Sequence, residues 1–115
     1  MRLFEQRERA FEAKWAHEEE MRFRLIARRD ELLARWAASE LDLDRDRSEA
    51  YVDRLMRIGL TGKDQGLFAA IRDDLSSAKG VTSELAILRK MDQCLKVACR
   101  ELEMEPEARP KADKS

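Results

Sequence analysis

The stretch MRFRLIARRDELLARWAA, residues 21–38, decides the fold class of this chain. Its large apolar residues recur at spacings of three, four and seven, and therefore line one face of a helix. These residues are Leu25, Ile26, Leu32, Leu33 and Trp36. Because no glycine or proline interrupts the chain from Leu3 to Ala38, one long helix is predicted there, with residues 21–38 as its core-forming half.

Residues 1–20, the other half of this predicted helix, have a different surface. They carry four basic and six acidic side chains but few large apolar ones. Phe4, Phe11 and Trp15 are spaced to form a narrow aromatic stripe along one side of the helix. One turn further on, this side carries charged residues, so the stripe ends there. Ion pairs four residues apart, such as Glu20 to Arg24, each stabilise an isolated helix by only ~0.2–0.5 kcal/mol. We therefore expect residues 1–20 to be a mobile helical extension that finds burial in another protein.

A second helix is predicted over about residues 47–58. Asp46 and Glu49 have the spacing of a capping box at its start, and Gly59 supplies a stop at its end. Its predicted inner face consists of Tyr51, Leu55 and Ile58.

Two more helices complete the pattern, one over about residues 64–79 that ends at Gly80, and one that begins after Thr82 or Ser83. Their predicted inner faces consist of Leu67, Phe68, Ile71, Leu75 and Ala78, and of Leu88, Met91, Leu95, Ala98 and Leu102. Short links favour antiparallel neighbours. The sequence thus predicts an all-α protein: a four-helix bundle-like domain over residues 21–104, with the extension 1–20 and a disordered tail, 105–115, that lacks apolar anchors.

The composition excludes several classes of protein. With 23 basic and 24 acidic residues, the chain lacks the positive excess of a general nucleic-acid binder. No apolar run approaches the ~20 residues that span a membrane, and the charged start does not resemble a secretory signal. Cys94 and Cys99 lie five residues apart on different helical faces, which is typical of half-buried thiols in a reducing compartment. We expect a cytoplasmic protein that does not insert into membranes.

Nothing in the sequence indicates a reaction site. His17 is the sole histidine, with only Glu20 nearby at i+3, whereas a metal site usually has several imidazole or thiolate ligands. The glycines around residues 59–64 lack the spacing of a phosphate-binding loop. We expect no catalytic residue, no metal and no cofactor.

One segment resembles a known family. RERAFEAKWAHEEE, residues 7–20, is similar to the start of the alphaproteobacterial F-type ATP synthase inhibitor subunit zeta family, whose pattern is approximately RERAFExKFAHDEE. Trp15 stands where the family usually has phenylalanine, and Glu18 where it usually has aspartate. The similarity continues to Ala38 and then thins, and residues 40–46 and 59–66 depart from the family.

The resemblance implies a four-helix fold whose mobile amino-terminal segment inhibits ATP hydrolysis. It implies that the segment enters a cleft between the alpha and beta subunits of the catalytic head, near the gamma shaft, and blocks rotation. The partner-binding residues would be Leu3, Phe4, Arg7, Glu8, Arg9, Phe11, Glu12, Lys14, Trp15, His17, Glu19 and Glu20. We expect a monomer when free, peripherally associated with the membrane-bound enzyme. The alternatives are a nucleotide-sensing helical domain and a self-associating adaptor, both without inhibitory activity.

Overall fold

The computed structural model describes the backbone from Arg2 to Glu103 and the side chains from residue 17 to residue 103. This part of the chain is all-helical and contains no strand. Its three helices are α1, Arg2–Glu40; α2, Arg45–Lys79; and α3, Glu84–Leu102. The predicted tail, 105–115, lies outside the described residues. The all-α prediction is confirmed, whereas a four-helix bundle is not supported, since three helices are present in the described residues.

The difference lies in α2, which contains both of the central helices that were predicted as separate. Lys63 alone leaves the helical conformation, with φ 56° and ψ −156°. The hydroxyl of Tyr51 donates a hydrogen bond to Asp74 Oδ2 at 2.9 Å. An unbroken helix would separate these two residues by about 35 Å. α2 is therefore folded back on itself at Lys63, into a first limb, 45–62, and a second limb, 64–79.

Gly59, predicted to end a helix, lies inside the first limb. Its function is to permit close packing: a Cβ atom on residue 59 would lie 2.8 Å from Asp30 Oδ2 on α1. The predicted capping box is also displaced. Asp44, not Asp46, caps α2, because its side chain accepts a hydrogen bond from the backbone N–H of Arg47 at 2.8 Å.

The central helix is α1, which packs against both α2 and α3, while these two contact each other far less. Its buried apolar residues are Leu25, Leu33, Ala34, Ala37 and Ala38. They include the predicted Leu25 and Leu33, whereas Ile26, Leu32 and Trp36 are half-buried. Alanines allow neighbouring helices to approach α1 closely, so the core is built around its second half.

The ends of α3 follow the prediction, but its inner face is shifted. Ser83 caps it by accepting a hydrogen bond from the backbone N–H of Ala86 at 3.1 Å. Gly80 ends α2 with a φ of 91°. Leu88, predicted to be buried, is 51% exposed, and Ile87 is fully buried in its place. The remaining buried residues of α3 are Cys94, Ala98 and Cys99.

Both cysteines are buried rather than half-buried. Cys94 joins the main cluster around Leu33 and Leu55, whereas Cys99 packs with Leu25 and Ala98 in a second cluster. Burial raises the pKa of the Cys94 thiol, although Lys90 and Arg29 lower it in part. The thiol of Cys94 is therefore a packing group, protonated at neutral pH.

A buried ion-pair cluster joins α1 to the fold-back of α2. The guanidinium of Arg29 donates to Asp30 Oδ1 at 2.8 Å and to Asp64 Oδ2 at 3.3 Å. The side chains of Arg29 and Asp30 are 7% and 8% exposed. Asp64 is the first residue after Lys63, so the cluster fixes the second limb at the point where it begins.

Removing the cation from this cluster is expected to destabilise the domain strongly. Arg29→Met leaves Asp30 buried without its partner, which costs about 3–5 kcal/mol in comparable sites. Arg24→Met is the matched control on the same helix, since its pair with Glu20 is 58% exposed on both sides and should contribute no more than about 0.5 kcal/mol. Urea unfolding measures both. Similar losses for the two variants would contradict the structural role of Arg29.

The conformation of Lys63 gives a second prediction. Its φ and ψ lie in a region that is essentially restricted to glycine and costs other residues roughly 1–3 kcal/mol. Lys63→Gly removes that strain at an entropic cost of roughly 0.5–1 kcal/mol, so a net stabilisation of about 1 kcal/mol is expected. Lys63→Ala keeps the Cβ atom and should give no such gain. The urea midpoints of the three proteins decide between these outcomes.

Candidate partner-binding site

The amino-terminal part of α1 extends past the other helices. Arg28 Nε donates to Glu101 Oε1 at 2.6 Å, which places the end of α3 beside residue 28. The contacts of Arg29 with Asp64 place the fold-back of α2 at the same level. α1 begins at Arg2, so about 35 Å of helix precedes Leu25, its first buried residue. The described part of the chain measures 63 × 30 × 23 Å, and this projection accounts for its length.

The described side chains of the projection face solvent. His17, Glu18, Glu19 and Glu20 are exposed, and Met21 is half-buried. These residues include three of the sequence-predicted partner-binding residues. The side chains of the other nine lie outside the described ones: Leu3, Phe4, Arg7, Glu8, Arg9, Phe11, Glu12, Lys14 and Trp15. All twelve belong to one helix, because the backbone of α1 is helical from Arg2.

Of the ion pairs predicted on this part of α1, the one between Glu20 and Arg24 is present. Arg24 Nη2 lies 3.1 Å from Glu20 Oε2, and both side chains are largely exposed. The pair contributes little to stability because water screens it. It leaves the helix surface charged up to the point where the core begins.

A groove, which the sequence analysis did not identify, lies where α1 meets the fold-back of α2. It is open to solvent and has a volume of about 620 Å³. From α1 it is lined by Glu19, Arg22, Phe23 and Ile26, and from α2 by residues 62–65. A smaller cavity of about 100 Å³ beside it is lined by Phe23, Ile26, Leu60 and the buried Asp30, among others. Phe23 and Leu60 are 61% and 59% exposed. We name this combined surface the α1–α2 groove.

Of the charged side chains that line the larger part of the α1–α2 groove, only Asp64 pairs with another described side chain. Asp64 is held by Arg29. Arg22 and Lys63 form no ion pair with any side chain among residues 17–103, and neither does Glu19. The groove therefore presents two cations and one anion to solvent around exposed apolar side chains. The sequence signal for it was Phe23, an aromatic residue between two arginines and off the core face.

Comparison with known proteins decides the family. The family model of the ATPase inhibitor subunit zeta matches residues 1–101. The chain belongs to the ATPase inhibitor subunit zeta family. No match was found among curated proteins or among solved structures. The resemblance seen in residues 7–38 is thus confirmed, and it extends over most of the chain.

In this zeta-family chain, the residues described hold no cluster of three or more histidine, cysteine or carboxylate side chains that could bind a metal ion. None of the helices described is long and apolar enough to cross a membrane. The family to which the chain belongs is, by its description, one of ATPase inhibitor subunits.

Asp30 lines the smaller cavity of the α1–α2 groove. The folded protein holds its carboxyl in surroundings that favour the neutral, protonated form over the charged one. Burial, together with the charge of Asp64, raises the pKa of its carboxyl above the ordinary value, although the hydrogen bond and charge of Arg29 lower it in part. Arg29 behaves differently: burial lowers its pKa, but the hydrogen bonds and negative charges of Asp64 and Asp30 together outweigh burial and raise it overall. Both pKa values rise, but for different reasons. Arg29 gains from two carboxylates, Asp30 and Asp64, whereas Asp30 has only Arg29 as a cation and shares it with Asp64.

This raised pKa predicts a pH dependence. A carboxyl whose folded-state pKa is raised contributes stability that is full below its unfolded pKa of about 3.9 and is lost as the pH rises through the folded value. The unfolding free energy of the wild type minus that of Asp30→Asn should therefore decrease as the pH rises from about 3. Urea unfolding across a pH series measures this difference, with Asp53→Asn at an exposed position as the control substitution. A difference that increases with pH would mean that pairing with Arg29 outweighs burial.

Proposed function

We propose that this protein inhibits ATP hydrolysis by the F-type ATP synthase by inserting its amino-terminal helix into the catalytic head, at an interface of the alpha, beta and gamma subunits, where it blocks rotation. Membership of the inhibitor subunit family supports the activity. The observation that carries the mechanism is the projection of α1 beyond the ends of α2 and α3. A helix that extends past its own domain can enter a cleft without unfolding that domain.

The chemistry of residues 1–20 suits insertion. Phe4, Phe11 and Trp15 are spaced to lie along one side of a helix, and buried aromatic side chains commonly dominate the energy of an interface. The charged residues between them would fix orientation and register through complementary charges on the partner. The twelve residues named from the family resemblance are the proposed contacts. The segment 1–20 is the inhibitory unit, and residues 21–104 are the domain that presents it.

The proposed role is regulatory rather than catalytic. The protein would act as a monomer in the cytoplasm, bound peripherally to the membrane-embedded enzyme through its catalytic head. No specific feature of the described residues favours nucleotide sensing or self-association over this role.

Deleting residues 1–19 is expected to abolish inhibition while the domain stays folded. The truncation removes no buried residue among those described, because the core begins at Leu25. The measurement is the half-inhibitory concentration in ATP hydrolysis by the cognate purified ATP synthase, with circular dichroism to verify the fold. Phe11→Ser in the full chain should weaken inhibition, whereas Leu88→Ser, a substitution on the exposed side of α3, should not. Equal inhibition by the truncated and full-length proteins would disprove the assigned inhibitory segment.

A further inference from the structure

The α1–α2 groove combines exposed apolar side chains with charges that pair with no side chain among residues 17–103. Phe23 and Leu60 are both more than half exposed, and they lie at the point where α1 crosses the fold-back of α2. Exposed apolar side chains that adjoin one another in a groove commonly mark an interaction site, whereas single ones on a surface need no explanation. The other exposed apolar residues of the domain, such as Leu85 and Leu88, do not line this groove.

Lys63 supplies an independent observation. It lies between Gly62 and Asp64, at a backbone conformation in which glycine would be the least strained residue. The chain nevertheless has a lysine there, and its side chain lines both parts of the groove. It pairs with no carboxylate among the described side chains. A long cationic side chain held on strained backbone, without a partner among the described side chains, is suited to contact a ligand.

We propose that the α1–α2 groove binds an acidic, amphipathic segment of the same catalytic head that receives the amino-terminal helix, an inference that rests on the proposed function. The occupant places apolar side chains against Phe23, Ile26 and Leu60 and carboxylates against Arg22 and Lys63. Asp64 does not repel these carboxylates strongly, because Arg29 neutralises it. Glu19, the groove residue nearest the amino terminus, meets a cation of the partner.

Continuity along α1 favours this occupant over a second copy of the chain. Glu19 belongs both to the predicted partner-binding residues and to the lining of the groove. Phe23 follows one helical turn later, about 6 Å further along the axis. A partner that encloses the helix up to residue 20 therefore lies within one or two turns of the groove. The groove is the second contact of one interface.

The test uses full-length variants in the ATP hydrolysis assay. Phe23→Ser removes the apolar anchor and is expected to raise the half-inhibitory concentration by about tenfold. Leu85→Ser is the matched control, because Leu85 is similarly exposed, at 55%, but lies outside the groove. It should inhibit like the wild type.

Substitutions of Lys63 test the charge of the occupant and exclude misfolding as the cause. Lys63→Gly is expected to be more stable than the wild type and yet to inhibit roughly fivefold less well. Lys63→Glu should inhibit less well still, because it repels a carboxylate, whereas Lys63→Arg retains the charge and should match the wild type. Loss of inhibition in a stabilised variant cannot come from unfolding.

The outcomes separate this inference from the function on which it rests. If the wild type inhibits and the variants at Phe23 and Lys63 inhibit equally well, the groove is not part of the interface and only the present inference is overturned. If Lys63→Glu inhibits better than Lys63→Gly, the occupant is basic, and the stated chemistry is wrong. If the wild type does not slow hydrolysis at all, the proposed function is overturned and the second contact with it.

Discussion

The domain depends on one buried guanidinium. Arg29 binds a carboxylate on its own helix and another at the start of the second limb of α2, and so ties α1 to the point where α2 folds back. A buried ion pair adds little net stability, because desolvation offsets the attraction, but it strongly disfavours arrangements that leave one member alone. The close approach of Gly59 to Asp30 belongs to the same constraint, since any side chain there would displace the carboxylate. The apolar contacts supply the stability of the domain, and this cluster fixes its register.

Sequence reasoning was correct where the signal was local. The long uninterrupted apolar pattern predicted α1, the hydroxyl of Ser83 predicted the start of α3, and Gly80 predicted the end of α2. Each of these depends on a side chain and on backbone groups within a few residues of it. The partner-binding residues were assigned by similarity to a family, and their local pattern alone indicated only a charged helix with too little apolar surface.

Sequence reasoning failed where a contact between distant residues determined the local structure or the burial of a side chain. Gly59 was interpreted as a helix stop, although its purpose is to accommodate Asp30, 29 residues earlier in the sequence. The sequence did predict a break between residues 58 and 64, but not that Lys63, rather than a glycine, would leave the helical conformation. Leu88 has the same spacing pattern as the true inner face of α3, and only packing against α1 buries Ile87 instead. The α1–α2 groove was not predicted, because it forms between segments about forty residues apart, although the exposed Phe23 was a local signal for it.

The continuity of α1 has a mechanical consequence. The same helix forms the tip of the molecule and its packed centre, without a hinge between them. A load applied to the tip along the helix axis is carried through backbone hydrogen bonds into Leu33, Ala34 and Ala37, which are fully buried. A flexible tether would stretch and absorb such a load. A continuous helix anchored in a core instead passes the load to the residues packed around it.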